Sequence, residues 1–149
     1  MNFKEKVCEQ FRQLLHDKIS SQQKVLLELR QSASNETKSS AGDKHETALA
    51  MLQIEQANSG SQLSELLLQK KLFDKIGHKT KRVKIAQGSL IKTNQGYLFL
   101  SIALGKVSVE GTIVIALSPQ SPLGSRLVGL GVNDSVEMNG KSYVVERIE

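Results

Sequence analysis

The sequence predicts an α+β protein in which a long antiparallel helical hairpin precedes a small antiparallel sheet with one short helix. From Phe3 to Ile76 the chain has no proline, few glycines, and a residue pattern with alternating steps of three and four, which is typical of a coiled-coil seam. From about Ser89 onward it is rich in Val, Ile, Gly and turn signals, which favours short strands. A chain of 149 residues is long enough for one or two small domains with a hydrophobic core.

Two seams define the expected hairpin. The first consists of Cys8, Phe11, Leu15, Lys18, Gln22, Val25 and Leu29, and the second of Leu49, Leu52, Gln56, Ser59, Leu63, Leu66, Lys70 and Phe73. The polar residues in both seams weaken packing but can fix the register of the two helices. The segment between the seams is rich in Ser, Asn, Thr and Gly, which favour turns and caps. We therefore expect helices over roughly 3–31 and 45–76, each about 45 Å long, with residues 33–46 at the tip.

Short strands are expected in the second half at 89–93, 97–104 and 111–117. Ser121 is a candidate N-cap and Pro122 suits the first position of a short helix. Asn139–Gly140 is a dipeptide favoured in tight hairpin turns, and it separates two further strand-like segments, "DSVEM" and "KSYVVERI". Together these elements predict a small antiparallel sheet with one helix packed against it.

The basic excess is concentrated at the expected domain junction. The net charge is +5, and the segment "HKTKRVK" (78–84) alone contributes the cations Lys79, Lys81, Arg82 and Lys84. Such a cluster can contact nucleic acid or an acidic protein surface, or can be a solvated linker, and the sequence leaves these alternatives open. The predicted organisation is a hairpin over 1–77, a basic linker over 78–88 and a sheet domain over 89–149.

The sequence predicts a cytoplasmic location. The first ten residues carry charges throughout and have no apolar segment typical of a secretory signal, and no apolar run approaches the ~20 residues needed to span a bilayer. The only cysteine, Cys8, excludes an intrachain disulfide and suits a reducing compartment. Cys8 falls on the first seam and is expected to be a core thiol. We expect no membrane contact, and a monomer, because the apolar seams are used within the hairpin.

An acid pair lies at the expected tip. Asp43 and Glu46 are three residues apart near the start of the second helix, so they project from one face. One interpretation is structural, because acids at this place cap a helix and complement its dipole. The other is chemical, because Mg²⁺ takes oxygen ligands and is often bound through only one or two carboxylates. The residues alone leave both interpretations open.

Two motifs give the chain a resemblance to a known family. Gly42, Asp43, Glu46 and Ala48 match the tip motif Gly-Asp-x-x-Glu-Asn-Ala of the bacterial Gre-type transcript-cleavage factors, with Thr47 where the family has Asn. The family's C-terminal signature is matched by Ser121, Pro122, Leu123, Gly124, Leu127, Val128, Gly129 and Asp134. The chain thus resembles these transcription elongation factors over nearly its whole length and in the same order.

The resemblance implies a fold and a function. The C-terminal domain would be FKBP-like and dock at the rim of the RNA polymerase secondary channel, and the coiled coil would enter that channel. Asp43 and Glu46 would assist the polymerase's catalytic Mg²⁺ in hydrolysing the 3′ end of backtracked nascent RNA. The chain would be an accessory factor with no enzymatic activity or bound cofactor of its own. The residues expected to bind the partner are Ser121, Pro122, Leu123, Gly124, Lys79, Lys81, Arg82 and Lys84.

Two alternatives remain open at this point. Some relatives of the cleavage factors bind the same channel without stimulating cleavage, and the changed tip, with Thr47 and an additional acid at Glu36, is compatible with such a regulator. An FKBP-like shape also suggests a prolyl isomerase, an activity that generally needs an aromatic-lined pocket. The sequence has no Trp and only Tyr97, Phe99 and Tyr143 in its C-terminal half, and fold analogy is poor evidence for function.

Overall fold

The computed structural model describes residues 1–37, 42–77 and 80–149, with the backbone alone at residues 37 and 42–45. Two long helices come first, α1 (Phe3–Thr37) and α2 (Gly42–Lys75). The strands of the described chain are β1 (Leu90–Thr93), β2 (Gly96–Leu100), β3 (Gly105–Val109), β4 (Thr112–Leu117), β5 (Ser135–Met138) and β6 (Lys141–Ile148), and a short helix, α3 (Pro122–Leu127), lies between β4 and β5. The predicted α+β class, a helical hairpin followed by a sheet with one short helix, is confirmed.

Residue contacts divide the chain into two compact units. The sheet unit consists of Met1–Gln13 and Lys71–Glu149, so it includes the first turns of α1 and the last turn of α2. The hairpin unit consists of Leu14–Lys70. None of the described helices combines the length and the hydropathy needed to span a membrane.

In the hairpin unit, the two helices are joined by a polar contact in their shared face. The side-chain amide of Gln22 donates to Ser59 Oγ over 2.6 Å, and Ser59 is buried. The step after Leu15 differs from the prediction: Ile19 and Leu26 are buried, whereas the predicted seam residues Lys18 and Val25 are exposed. A step of four residues from Leu15 leads to the apolar Ile19, whereas a step of three leads to Lys18. The helix therefore buries Ile19 in the interface. Lys70 is likewise exposed, and its neighbour Gln69 is half-buried instead.

The sheet is mixed and has the strand order β3-β4-β2-β1-β6-β5. The prediction of a purely antiparallel sheet is therefore wrong at one place, because β2 and β4 pair in parallel. The cause is β3, a strand that was not predicted from the sequence. The chain reverses after β3 at Glu110 and Gly111, both with positive φ, and the more apolar β4 takes the inner position beside β2. Because β3 is an edge strand with the sequence "GKVSV", it lacked a continuous apolar pattern.

Both faces of the sheet contribute side chains to buried clusters, because successive side chains of a strand point to opposite faces. On one face, Leu98 and Leu100 belong to the hydrophobic core next to α3. The other buried members of this core are Ile85, Ile91, Leu127, Val145 and Ile148. Phe99 is fully buried on the other face, with its ring centroid 5.9 Å from Phe11 and 6.1 Å from Phe73. These aromatic contacts attach the beginning of α1 and the end of α2 to the sheet.

Two local predictions in this unit are confirmed. Helix α3 begins at Pro122 with Ser121 as its N-cap, and Ser121 Oγ accepts a hydrogen bond from the Gly124 amide at 3.0 Å. Asn139 and Gly140 both have positive φ and connect the antiparallel strands β5 and β6, as the hairpin signal predicts.

Candidate functional site

The acid pair lies in the first turns of α2, next to the segment that joins the two helices. Asp43 follows Gly42, the first residue of α2, and its side chain is outside the described part of the chain. Glu46 lies three residues further along the helix, and its side chain is exposed. The helical spacing places the two residues on neighbouring positions of one face. Among the described residues, no three His, Cys, Asp or Glu side chains come close enough to hold a metal ion together.

The Ser-Pro-Leu-Gly segment forms a tightly packed turn. Ser121 Oγ donates to the Ser118 carbonyl at 2.6 Å while it accepts from the Gly124 amide. A Cβ atom at Gly124 would lie 2.7 Å from Ser121 Oγ and 3.0 Å from the Ser118 carbonyl carbon, so this position accommodates only glycine without rearrangement. Ser121 and Gly124 therefore have a structural role that is sufficient to explain their presence.

Pro122 and Leu123 border an open cavity of about 430 Å³, which we call the apolar groove. Its other lining residues are Gln95, Leu98, Ile115, Leu117, Ser121, Met138, Asn139, Lys141 and Tyr143. Ile115 is 44% exposed, and Ile113 on the same face of β4 is 56% exposed. Exposed β-branched residues on a strand beside a groove are suited to contact with another protein.

Ile115, Met138 and Tyr143 were not among the site residues predicted from the sequence, although β4 contains a signal that could have identified Ile115. The segment "TIVIAL" is apolar at nearly every position, so it has no apolar-polar alternation. Val114 and Ala116 are buried, whereas Ile113 and Ile115 are exposed on the opposite face. Met138 and Tyr143 come from the β5–β6 hairpin, and only the fold brings them to α3.

The basic segment is exposed wherever the structure describes it. Lys81, Arg82 and Lys84 are all exposed, and Lys79 is outside the described residues. Exposed lysine and arginine side chains can contact a polyanion or remain solvated, and both interpretations of this segment stay open.

Cys8 is a buried thiol, as predicted from its position in the seam. Burial raises its pKa to about 11, although the nearby cations Arg12 and Lys4 act in the opposite direction. Lys4 is itself buried, and desolvation lowers its pKa, an effect that Cys8 and Glu149 partly offset. At neutral pH the Cys8 thiol is protonated and enclosed, which excludes a nucleophilic role.

We expect the high pKa of Cys8 to make folding stability fall between about pH 9 and pH 11. In this window the unfolded thiol is ionised while the folded one keeps its proton, so the unfolding free energy decreases by roughly 2–3 kcal/mol. The lowered pKa of Lys4 acts oppositely, because there the unfolded state holds the additional proton. Urea unfolding of wild type and Cys8→Ala across this pH range measures the effect. Equal pH slopes for both proteins would contradict it.

The chain matches no model of a protein family and no curated protein sequence. A functional interpretation therefore depends on the residues described above: the acid pair at the start of α2, the apolar groove beside α3 and the exposed basic segment.

Proposed function

We propose that this protein is an accessory factor of bacterial RNA polymerase that stimulates hydrolysis of backtracked nascent RNA. The observation that carries the proposal is the acid pair, Asp43 and Glu46, in the first turns of α2 beside the connection between two long helices. The exposed side chain of Glu46 is available to a partner. The resemblance of the tip and of the Ser-Pro-Leu-Gly segment to the Gre-type factors supports the same function.

In this proposal the acid pair completes a metal site that belongs mainly to the polymerase. Carboxylate oxygens are suitable donors for Mg²⁺, which is often held by one or two carboxylates together with substrate phosphates. In the polymerase active site, Mg²⁺ would stabilise the attacking and leaving oxygens of phosphodiester hydrolysis. Asp43 and Glu46 would hold and orient groups there, and the polymerase would perform the hydrolysis. The protein is then not an enzyme by itself and binds no cofactor alone.

The same proposal includes more specific assignments for the two helices, the sheet unit and the three segments of the chain. We propose that α1 and α2 form a coiled coil that enters the secondary channel and that the sheet unit is FKBP-like. The segments 1–77, 78–88 and 89–149 would then act as insertion hairpin, linker and docking domain. The protein would be a cytoplasmic monomer without membrane contact, and Lys79, Lys81, Arg82 and Lys84 would contact the polymerase or the transcript electrostatically.

The apolar groove is the proposed docking surface for the polymerase. Pro122 and Leu123 line it, while Ser121 and Gly124 fix the turn that carries them. Exposed Ile115 adds an apolar anchor from β4. Apolar side chains that lose their exposure at the centre of an interface contribute a large share of binding energy.

We expect Ile115→Asp to weaken binding to the polymerase core enzyme about 10–100-fold, because it would bury a carboxylate in an apolar interface. Binding is measured by titrating labelled polymerase with the variant. The matched control is Val132→Asp, which introduces the same charge at another exposed apolar residue of the sheet unit that is outside the groove. Equal weakening by both variants, or no weakening by Ile115→Asp, would contradict docking through the groove.

A non-catalytic channel regulator is the second candidate, and the changed tip favours it. Thr47 replaces the family's Asn, and Glu36 adds a carboxylate near the end of α1. Such a protein would bind the polymerase and leave RNA cleavage unchanged. The prolyl isomerase alternative has less support, since Tyr143 is the single aromatic residue among the described residues lining the groove.

A further inference from the structure

A polar layer interrupts the contact between the two long helices in the middle of the hairpin unit. The layer consists of Gln22 of α1 and of Gln56, Ser59 and Gly60 of α2, which are buried or half-buried. The side-chain amide of Gln22 donates to Ser59 Oγ at 2.6 Å and to the Ser59 carbonyl at 3.4 Å. In an α-helix that carbonyl is also the acceptor for the Leu63 amide, so Gln22 competes with the hydrogen bonds within α2.

The sequence around the polar layer has few apolar side chains in either helix. The segments that meet here are "SSQQK" (20–24) in α1 and "EQANSGSQ" (55–62) in α2, where Ala57 carries the single apolar side chain. A Cβ atom at Gly60 would meet nothing within 4 Å, so no described side chain fills the space beside it. A glycine inside a helix also weakens that helix locally, because it loses more conformational freedom on folding. The layer therefore contributes little hydrophobic stabilisation.

Burial differs between the two sides of the polar layer. On one side Leu15 and Ile19 are buried, and Leu26 is the last buried residue of α1 beyond the layer. The part of the hairpin that follows, residues 27–36 of α1 and 46–55 of α2, we call the distal segment. None of its residues is buried. Its large apolar residues are half-buried or exposed, namely Leu27, Leu29, Leu49, Met51, Leu52 and Ile54.

From this arrangement we propose that the polar layer is a hinge at which the distal segment opens as one unit while the rest of the hairpin stays folded. Parts of a protein with little buried apolar surface open locally at a lower free energy than the core. A helix of about ten residues is not stable alone, so the two arms of the distal segment depend on each other. Glu46 of the acid pair belongs to this segment.

The hinge is a property of the chain by itself and does not depend on polymerase binding. It has a consequence for any partner that recognises the closed distal segment. Such a partner shifts the population towards the closed hairpin, and the free energy of closing is subtracted from its binding free energy. The polar layer would thus regulate how readily Glu46 is presented to a partner.

Native-state hydrogen exchange of the full chain, followed by nuclear magnetic resonance, tests the hinge. We expect amides of the distal segment to be at least about hundredfold less protected than those at 16–19 and 63–66. Because the two arms separate together, amides at 29–33 and 49–53 should share one opening free energy and one dependence on urea. Protection that declines gradually towards the helix ends, without a step at the polar layer, would be fraying and would contradict the proposal.

A double substitution tests the role of the polar layer itself. Gln22→Leu/Ser59→Ala removes both partners of the hydrogen bond and continues the apolar contact through the layer. We expect it to raise the protection of the distal segment about tenfold, because opening would then expose additional apolar surface. The matched control is Gln23→Leu/Ser61→Ala, which makes the same changes at exposed neighbouring positions and should leave the step unchanged.

Three results of these measurements would overturn the hinge. The first is a wild-type hairpin without a step in protection at the polar layer. The second is a Gln22→Leu/Ser59→Ala variant whose distal segment is not better protected than that of wild type, because the polar layer would then not be what weakens the hairpin. The third is an equal gain in the control variant.

Discussion

The double substitution Asp43→Ala/Glu46→Ala is expected to reduce stimulated RNA cleavage at least about hundredfold and to leave polymerase binding unchanged. Metal-assisted stabilisation of the transition state supplies several kcal/mol, and a loss of about 2.7 kcal/mol is a hundredfold in rate. The measurement uses stalled, backtracked elongation complexes with 3′-labelled RNA and Mg²⁺. The rate at which short 3′ fragments are released is compared between wild type and variant.

Glu55→Ala/Glu65→Ala is the matched control for this experiment. It removes two exposed acids from the same helix and changes the net charge equally, at positions away from the first turns of α2. We expect this control to cleave at the wild-type rate. Full activity of the Asp43→Ala/Glu46→Ala variant would show that the two acids only cap the helix. Absence of cleavage with wild type, in complexes with confirmed polymerase binding, would instead support a non-catalytic regulator.

Gly124→Ala is expected to destabilise the sheet unit by about 3 kcal/mol. The added Cβ atom would lie 2.7 Å from Ser121 Oγ and 3.0 Å from the Ser118 carbonyl carbon, so the turn before α3 must open. Opening the turn also breaks the N-cap bond between Ser121 and the Gly124 amide. Urea unfolding measures the loss of stability. It is monitored by tyrosine fluorescence, because Tyr143 lines the groove next to this turn.

The matched control is Gly60→Ala in the interior of α2. A Cβ atom there would meet nothing within 4 Å, so the substitution should stabilise the helix by about 0.5–1 kcal/mol. The two glycine substitutions thus have opposite expected signs. A stability of Gly124→Ala equal to that of wild type would contradict the described geometry of the Ser-Pro-Leu-Gly turn.

Features governed by neighbouring residues could be predicted from the sequence. The N-cap at Ser121 and the Asn139–Gly140 turn are decided within a few residues, and the structure confirms both. The composition and the residue spacing of the first half predicted that two long helices come first. The shared face of the helices was predicted less well, because a choice between steps of three and four at Leu15 decides whether Lys18 or Ile19 is buried.

Features governed by distant residues could not be predicted in the same way. The parallel pairing of β2 with β4 depends on β3, whose weak pattern conceals an edge strand. The apolar groove follows from this arrangement, because β4 carries Ile115 to it. The acid pair could be identified because its spacing is local, and the role proposed for it depends on a partner.

A photoreactive amino acid at Ala50 tests the central claim most directly. Ala50 is exposed on α2 one turn after Glu46, so it reports on the surroundings of the acid pair without replacing either acid. The protein is bound to backtracked elongation complexes with 3′-labelled RNA and irradiated, with the same probe at exposed Val132 of the sheet unit as control. We predict a crosslink to the 3′ segment of the RNA from position 50 and none from position 132. Crosslinks to neither polymerase nor RNA from position 50, in complexes that contain the bound protein, would contradict insertion of the hairpin into the secondary channel.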